Sequence, residues 1–309
     1  MKVHTDIESF SAHNPIVTMG MFDGIHLGHK KILSRLKELS KEKDGESVVI
    51  TFWPHPRLVL NNNCDKLRYL STIDEKLLLL EKAGIDHTII FPFTHEFAKK
   101  TACEFIEEIL VKKIRIKYLI AGFDHHFGHD RKGSLEDLNA CAGKNNFNVE
   151  KLEALSINDE IISSTIIRKI IELGDIPKAN KYLGYEYFIL GKVVKGNRIG
   201  RSIGFPTANI ELTDGHKLRP GIGVYAVEVE FGGKKFKGML NIGIRPTIHE
   251  ATKVKSIEVH IFDFDKDIYG ENVQVIFKKK IREEKKFANV EALKKQLEID
   301  RSIILGINI

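Results

Sequence analysis

Two rhythms of apolar and polar positions divide this chain. In its first part, short apolar runs alternate with stripes at helical spacing. Pro15–Gly20 is a brief apolar run ending in glycine, and Ile32, Leu33, Leu36 and Leu39 then recur on one face of His29–Ser40. Ser47–Phe52 is rich in β-branched residues. Asp86–Phe91, Tyr118–Ala121 and Phe147–Leu152 also read as short strands. Helices are expected over Asp74–Ala83, Thr101–Lys113, Ser134–Gly143 and Ser163–Leu173. Short strands alternating with amphipathic helices predict a parallel sheet covered on both faces, with ligands at the strands' carboxyl ends.

Past about Leu183 the period shortens to two. Val227, Val229 and Phe231 alternate with Glu228 and Glu230, and Val273, Val275 and Phe277 repeat the pattern. Phe188–Val194, Lys234–Leu240 and Ser256–Phe262 are strand-like, with glycines between the runs. This predicts an antiparallel barrel or sandwich, closed by a helix over Asn289–Ile303. Pro177 and Gly184 place the boundary within Ile176–Tyr187, giving domains 1–182 and 183–309. The expected fold class is therefore α/β followed by β.

Composition narrows the function classes. The 309 residues suit two domains, and 42% hydrophobic with 29% charged residues is ordinary for a folded globular chain. Met1–Phe10 lacks the layout of a signal peptide, and runs such as Leu77–Leu80 are too short to span a bilayer. Cys64, Cys103 and Cys141 are scattered, which predicts a reducing cytoplasm and no zinc knuckle. The net charge of +6 suits nucleic acid or a pocket for polyanionic nucleotides. Nucleic-acid binding calls for aromatics interleaved with Lys and Arg on one face, whereas the Phe residues here occupy apolar strand positions. Lys278–Lys280 reads as a solvated face, and nothing in the pattern sets an oligomeric state.

Candidate chemistry sits first in Gly20-Met21-Phe22-Asp23-Gly24-Ile25-His26-Leu27-Gly28-His29, between a strand and a helix. Glycines let the backbone approach a phosphate, and the helix start offers N–H groups to an anion. His26 and His29 add imidazole donors, which nucleotidyl transfer needs as charge builds on the phosphates. Paired histidines with three glycines favour this reading over a plain strand–helix turn. In Ser163-Ser164-Thr165-Ile166-Ile167-Arg168 a capped helix start joins hydroxyls to a guanidinium, though an ordinary amphipathic helix reads the same. His125, His126 and His129, with Asp124 and Asp130, lack convincing metal-ligand spacing.

In the second part, Gly191-Lys192-Val193-Val194-Lys195-Gly196 leads to Gly204-Phe205-Pro206-Thr207-Ala208-Asn209, glycine-rich and basic but not a P-loop. If extended, Thr207 and Asn209 point to one side and present oxygens suited to Mg²⁺. Glu258 shares a strand face with His260, so it is either a general base or part of an exposed face.

These motifs, in this order, resemble the prokaryotic bifunctional riboflavin kinase/FAD synthetases. Gly20–His29 looks like the HxGH signature of nucleotidyltransferases, joined by Ser163–Arg168 and Thr51-Phe52-Trp53-Pro54-His55-Pro56. The resemblance implies that Gly20, Phe22, Asp23, Gly24, His26, Gly28 and His29 handle ATP, with Ser164, Thr165 and Arg168 on its triphosphate. It implies a nucleotide-pocket role for Asp124 and a flavin side at Pro54, His55 and Pro56. The chain departs from the family at Met21, Trp53 and His125-His126. From Tyr185 to Ile303 it is similar to the riboflavin kinase module, a six-stranded barrel with a terminal helix. That likeness implies MgATP at Gly191, Lys192, Gly204, Pro206, Thr207 and Asn209, with Thr207 and Asn209 on the metal. It also implies Glu258 as base and Arg282, Glu284 and Phe287 on the flavin side. The implied activity converts riboflavin to FMN and then FMN to FAD, with ATP as co-substrate. The alternative is a kinase whose first domain is degenerate.

Overall fold

The computed structural model describes residues 1–60, 67–123, 135–157, 160–196, 200, 203–244 and 255–307. Asp124, together with His125, His126, His129, Asp130 and Cys64, lies outside the described residues. The chain divides into two units, Met1–Leu67 with Ser71–Ser164, and Arg68–Leu70 with Thr165–Ile309.

The first unit is built on a six-stranded sheet ordered β1 (Lys2–His4), β4 (His87–Pro92), β3 (Ser47–Trp53), β2 (Ile16–Met19), β5 (Tyr118–Ala121) and β6 (Asn148–Lys151). Every neighbouring pair is parallel. The apolar runs of β2, β3 and β5 are buried because helices cover the sheet. These helices include α1 (Leu27–Glu42), α3 (Ile73–Lys82) and α5 (Leu135–Asn145), while α2 (Pro56–Leu60) is short. In addition, α4 (Ala102–Phe105) continues as a wider π-type turn through Ile106–Lys113. Val17, Val48, Ile106, Leu110 and Leu119 form the centre of one core cluster. The edge strand β1 has no alternating pattern to announce it. It is held by parallel pairing to β4 rather than by an apolar face.

A two-stranded ribbon of β7 (Ser156–Ile157) and β8 (Glu160–Ile161) completes the first unit's strands; in the second unit, β9 (Phe188–Val194), β10 (Ala208–Leu212), β11 (Gly223–Phe231), β12 (Lys234–Ile244), β13 (Lys255–Ile261) and β14 (Asn272–Arg282) close a barrel ordered β10-β13-β12-β11-β14-β9. Tyr225, Val227 and Val229 alternate along β11 with Ala226 and Val224, which pack with Ile304 of α8 (Val290–Leu305). The expected closing helix is thus present. Tyr69 pairs with Lys217 as an added bridge, and Lys217 Nζ donates to the Leu70 carbonyl at 2.6 Å.

Within the expected boundary segment, Pro177 stands at the start and Gly184 at the end of α7 (Ile176–Leu183), which follows α6 (Ser164–Leu173). Asp175 caps α7 through the Lys178 N–H, and Gly184 takes the left-handed conformation that stops it.

Candidate active sites

The first site forms where β2 ends. Its neighbours are β3 on one side and β5 on the other, so chain order reverses there, the position at which such sheets place ligands beyond the strands' carboxyl ends. Gly20 follows β2 and donates its N–H to the Ile50 carbonyl at 3.0 Å. The loop then turns sharply: Phe22, Gly24 and Ile25 all have positive φ, at 46°, 81° and 35°. Gly24 takes this freely, whereas Phe22 and Ile25 are held there by burial, at 2% and 1% exposure. His26 is the extended N-cap of α1 and makes no side-chain capping bond, while Gly28 and His29 lie in the first turn. The His26 and His29 rings stack with centroids 3.7 Å apart, and Phe22 lies 5.2 Å from His29. The buried Nδ1 of His29 has no hydrogen-bond partner among the described residues. Burial, the adjacent His26 and the Lys76 cation hold His29 well below the usual imidazole range. It therefore rests neutral, with one ring nitrogen able to donate and the other to accept.

Four side chains fasten this loop. The Asp23 carboxylate accepts the Ser71 N–H at 3.1 Å, and Ser71 Oγ accepts the Gly24 N–H at 3.0 Å. Ser164, the first residue of α6, donates its hydroxyl to the Asp23 carbonyl at 2.9 Å. Thr51 Oγ1 receives Lys76 Nζ at 3.0 Å and donates to the Met21 carbonyl at 3.3 Å. Asp23, a candidate phosphate-loop residue, is thus tied into the loop's own bracing. Ser71 and Lys76 are site residues that motif reading missed. A signal existed: Thr72 and Glu75 form a capping box, and Lys76 interrupts an apolar face with Leu79 and Leu80.

The remaining expected residues of this part lie on two other segments. Thr165 and Arg168 follow Ser164 on α6, Thr165 exposed and Arg168 half-buried. Pro54, His55 and Pro56 carry the chain from Trp53 at the end of β3 into α2, and His55 Nδ1 accepts the Arg57 N–H at 3.1 Å.

The second site is a row across three barrel strands. Asn209 of β10 faces Glu258 of β13, which faces Asn241 of β12. Residues so paired share a face of the sheet. Thr207 Oγ1 donates to Glu258 Oε2 at 3.4 Å, and Asn241 Nδ2 donates to Glu284 Oε1 at 3.3 Å. The row thus gathers hydroxyl, amide and carboxylate groups on neighbouring strands, donor types that fit a hard cation such as Mg²⁺. Among the described residues no group of three or more His, Cys, Asp or Glu side chains gathers as a metal site.

The segment leading in is held by His260, whose Nδ1–H donates to the Pro206 carbonyl at 2.8 Å. His260 also packs against Phe205 and Phe262, and burial, with Arg301 nearby, lowers its basicity. Gly204 turns with φ 85°. Gly191 on β9 lies where Ile210 and the Glu211 carbonyl leave no room for a Cβ, and Lys192 beside it is exposed. Arg282 is already engaged: Asp300 of α8 receives its Nε at 2.9 Å and its second nitrogen at 2.8 Å. Phe287 lies beneath the guanidinium, 5.8 Å from ring centre to carbon.

Comparison with known proteins accounts for both units. A family model described as FAD synthetase matches residues 9–166, and one described as riboflavin kinase matches residues 183–306. A bifunctional riboflavin kinase/FMN adenylyltransferase of Buchnera aphidicola is 40% identical, over 94% of this chain and 93% of its own. The Bacillus subtilis protein of the same description is 35% identical, over 93% and 90%. The Escherichia coli K12 protein is 37% identical, over 92% and 90%. A crystal structure described as a macrolide-efflux protein from Streptococcus pneumoniae superposes with a TM-score of 0.89 at 32% identity, covering 99% of each chain. Among the described residues here, no helix is long and apolar enough to cross a membrane.

Proposed function

The chain belongs to the bifunctional riboflavin kinase/FMN adenylyltransferase family, and from that premise we propose which residues carry its two activities. It phosphorylates riboflavin with ATP to give FMN, and adenylylates FMN with a second ATP to give FAD and pyrophosphate. The functional division falls between residues 182 and 183, and the two family matches support this.

Adenylylation belongs to Gly20–His29. The observation that carries this reading is the His26–His29 stack at the head of α1, beside a positively curved glycine loop. The phosphate oxygen of FMN attacks the α-phosphorus of ATP, and the bond to the β-phosphate oxygen breaks. Charge grows on the departing pyrophosphate, and imidazole N–H groups with the helix start stabilise it. Ser164, Thr165 and Arg168 extend the grip on the triphosphate, and Pro54–Pro56 face the flavin.

Phosphorylation belongs to the Asn209–Glu258–Asn241 row. Glu258 takes the proton of the ribityl 5′-hydroxyl as its oxygen attacks the γ-phosphorus of ATP. Thr207 and Asn209 would hold Mg²⁺, which neutralises charge developing on the phosphate oxygens when bound. Gly191, Lys192, Gly204 and Pro206 cover the nucleotide; Glu284, Arg282 and Phe287 border the flavin. We place the enzyme in the cytoplasm on its cysteine usage, with riboflavin, FMN and ATP as partners and no nucleic acid.

The test supplies FMN and MgATP to the wild-type protein and to His29→Ala, and measures FAD and pyrophosphate. Wild type forms both, while His29→Ala loses about two to three orders of magnitude of rate and still phosphorylates riboflavin. A wild type that makes FMN but never FAD would leave only a kinase.

A further inference from the structure

The adenylyl-transfer floor contains a buried cation that the mechanism above leaves unused. Lys76 is 2% exposed and lies on the face of α3 that also buries Leu79 and Leu80. Its Nζ reaches Thr51 on β3 at 3.0 Å and lies 5.8 Å from the centre of the Trp53 ring. Through Thr51 it connects to the Met21 carbonyl in the phosphate loop. The charged and titratable groups it interacts with are Asp23 and His29, both in that loop.

This position has a chemical meaning. On one side are the loop and histidines assigned to ATP; on the other, Trp53 leads into Pro54–Pro56, assigned to the flavin. Two polyanions must meet between them, and repulsion between FMN phosphate and triphosphate is greatest there, in surroundings of low dielectric. The neutral His29 brings donors but no charge. Burying an ammonium is costly, and burial pushes this one down to about 8. Such a cost is typical of functional sites rather than of cores.

We infer that Lys76 supplies the fixed positive charge at which the phosphate of FMN and the α-phosphate of ATP are brought together. This rests on the assignment of adenylylation to Gly20–His29. Asp23 keeps the ammonium in the floor when no substrate is bound, and the Thr51 hydroxyl aims it.

A simple structural tether from α3 to β3 makes a different prediction, because it needs a hydrogen-bond donor and no charge. Lys76→Gln keeps an N–H donor and removes the charge; Lys76→Arg keeps the charge. Turnover is measured for FMN adenylylation as a function of pH and for riboflavin phosphorylation, with thermal unfolding as a check on folding. Lys76→Gln should lose about 10²- to 10³-fold in adenylylation kcat and phosphorylate riboflavin at the wild-type rate. Lys76→Arg should stay within about tenfold of wild type. Wild-type adenylylation should also decline on the alkaline side as the amine loses its proton, and Lys76→Gln should lack that decline. Full adenylylation by Lys76→Gln, or the same alkaline decline in it, would overturn the inference. His29→Ala serves as the control. If it too leaves adenylylation intact, the site assignment has failed; if it abolishes FAD formation while Lys76→Gln does not, the role of Lys76 alone has failed.

Discussion

The two units face one problem, placing an ATP phosphate beside a flavin, and build the answer from different parts of their folds. In the first unit the proposed chemistry sits in one contiguous segment, Gly20–His29, at the end of a parallel strand. Braces from Ser71, Lys76 and Ser164 converge on that segment. In the second unit the proposed site is assembled from three strands: Asn209, Glu258 and Asn241 meet through barrel register. A loop site depends on what pins the loop. A register site depends on the barrel staying closed. The two should therefore fail in different ways.

The sharpest break in the comparison is catalytic. Glu258→Gln should cut riboflavin phosphorylation by roughly two to four orders of magnitude, as loss of a general base does, and leave adenylylation of added FMN at the wild-type rate. Parallel assays of the two products decide it, and equal loss of both would merge the sites. Next comes closure of the barrel. Asp300 is fully buried and holds Arg282 from α8. Asp300→Asn should destabilise the second unit by about 1.5–3 kcal/mol, because it removes the charge from hydrogen bonds that join α8 to the part-buried Arg282. Denaturant unfolding would show this, and an unchanged midpoint would mean that α8 does not secure the strand.

A third effect separates stability from activity in the first unit. Burial holds the Lys76 amine at about 8 in the native state, against 10.5 ordinarily. Below about pH 8 both folded and unfolded chains carry the proton, and the native state bears the full cost of the buried charge. Between about pH 8 and pH 10.5 the unfolded chain binds more protons, so this group's contribution to stability rises with pH. Lys76→Met should therefore stabilise the protein at neutral pH by up to about 3 kcal/mol, with the gain shrinking through that window. A gain over wild type no larger at pH 7 than at pH 10 would contradict the buried-charge account. The smallest effect tests the brace. Ser164→Ala removes one hydrogen bond to the Asp23 carbonyl and should cost about 1 kcal/mol, lowering adenylylation modestly and leaving phosphorylation alone.

The same contrast explains what could be read from the residues alone. Gly20–His29 was legible because its glycines, histidines and following helix are adjacent in sequence. Most strands were legible from apolar runs or alternation, since β3 and β11 bury what their patterns say they should, whereas β1 and β10 carried no such signal. Lys76 was not, because a lysine within an apolar stripe announces a helix before it announces a charge. The alignment of Asn241 with Glu258 depends on pairing between β12 and β13, which no local pattern encodes. Proline and glycine punctuate both loops and helix ends, so the signals in the expected boundary segment left open that a helix, α7, runs through it. Here Pro177 stands in the first turn of α7 and Gly184 at its close.

A complementation assay tests the separateness of the sites most directly. His29→Ala and Glu258→Gln are each given riboflavin and MgATP, first alone and then mixed. Alone, the first should accumulate FMN and the second should leave riboflavin unconverted; mixed, they should produce FAD, because one makes the substrate the other consumes. If the mixture yields no more FAD than either variant alone while both are folded, the division of labour between the two units is wrong.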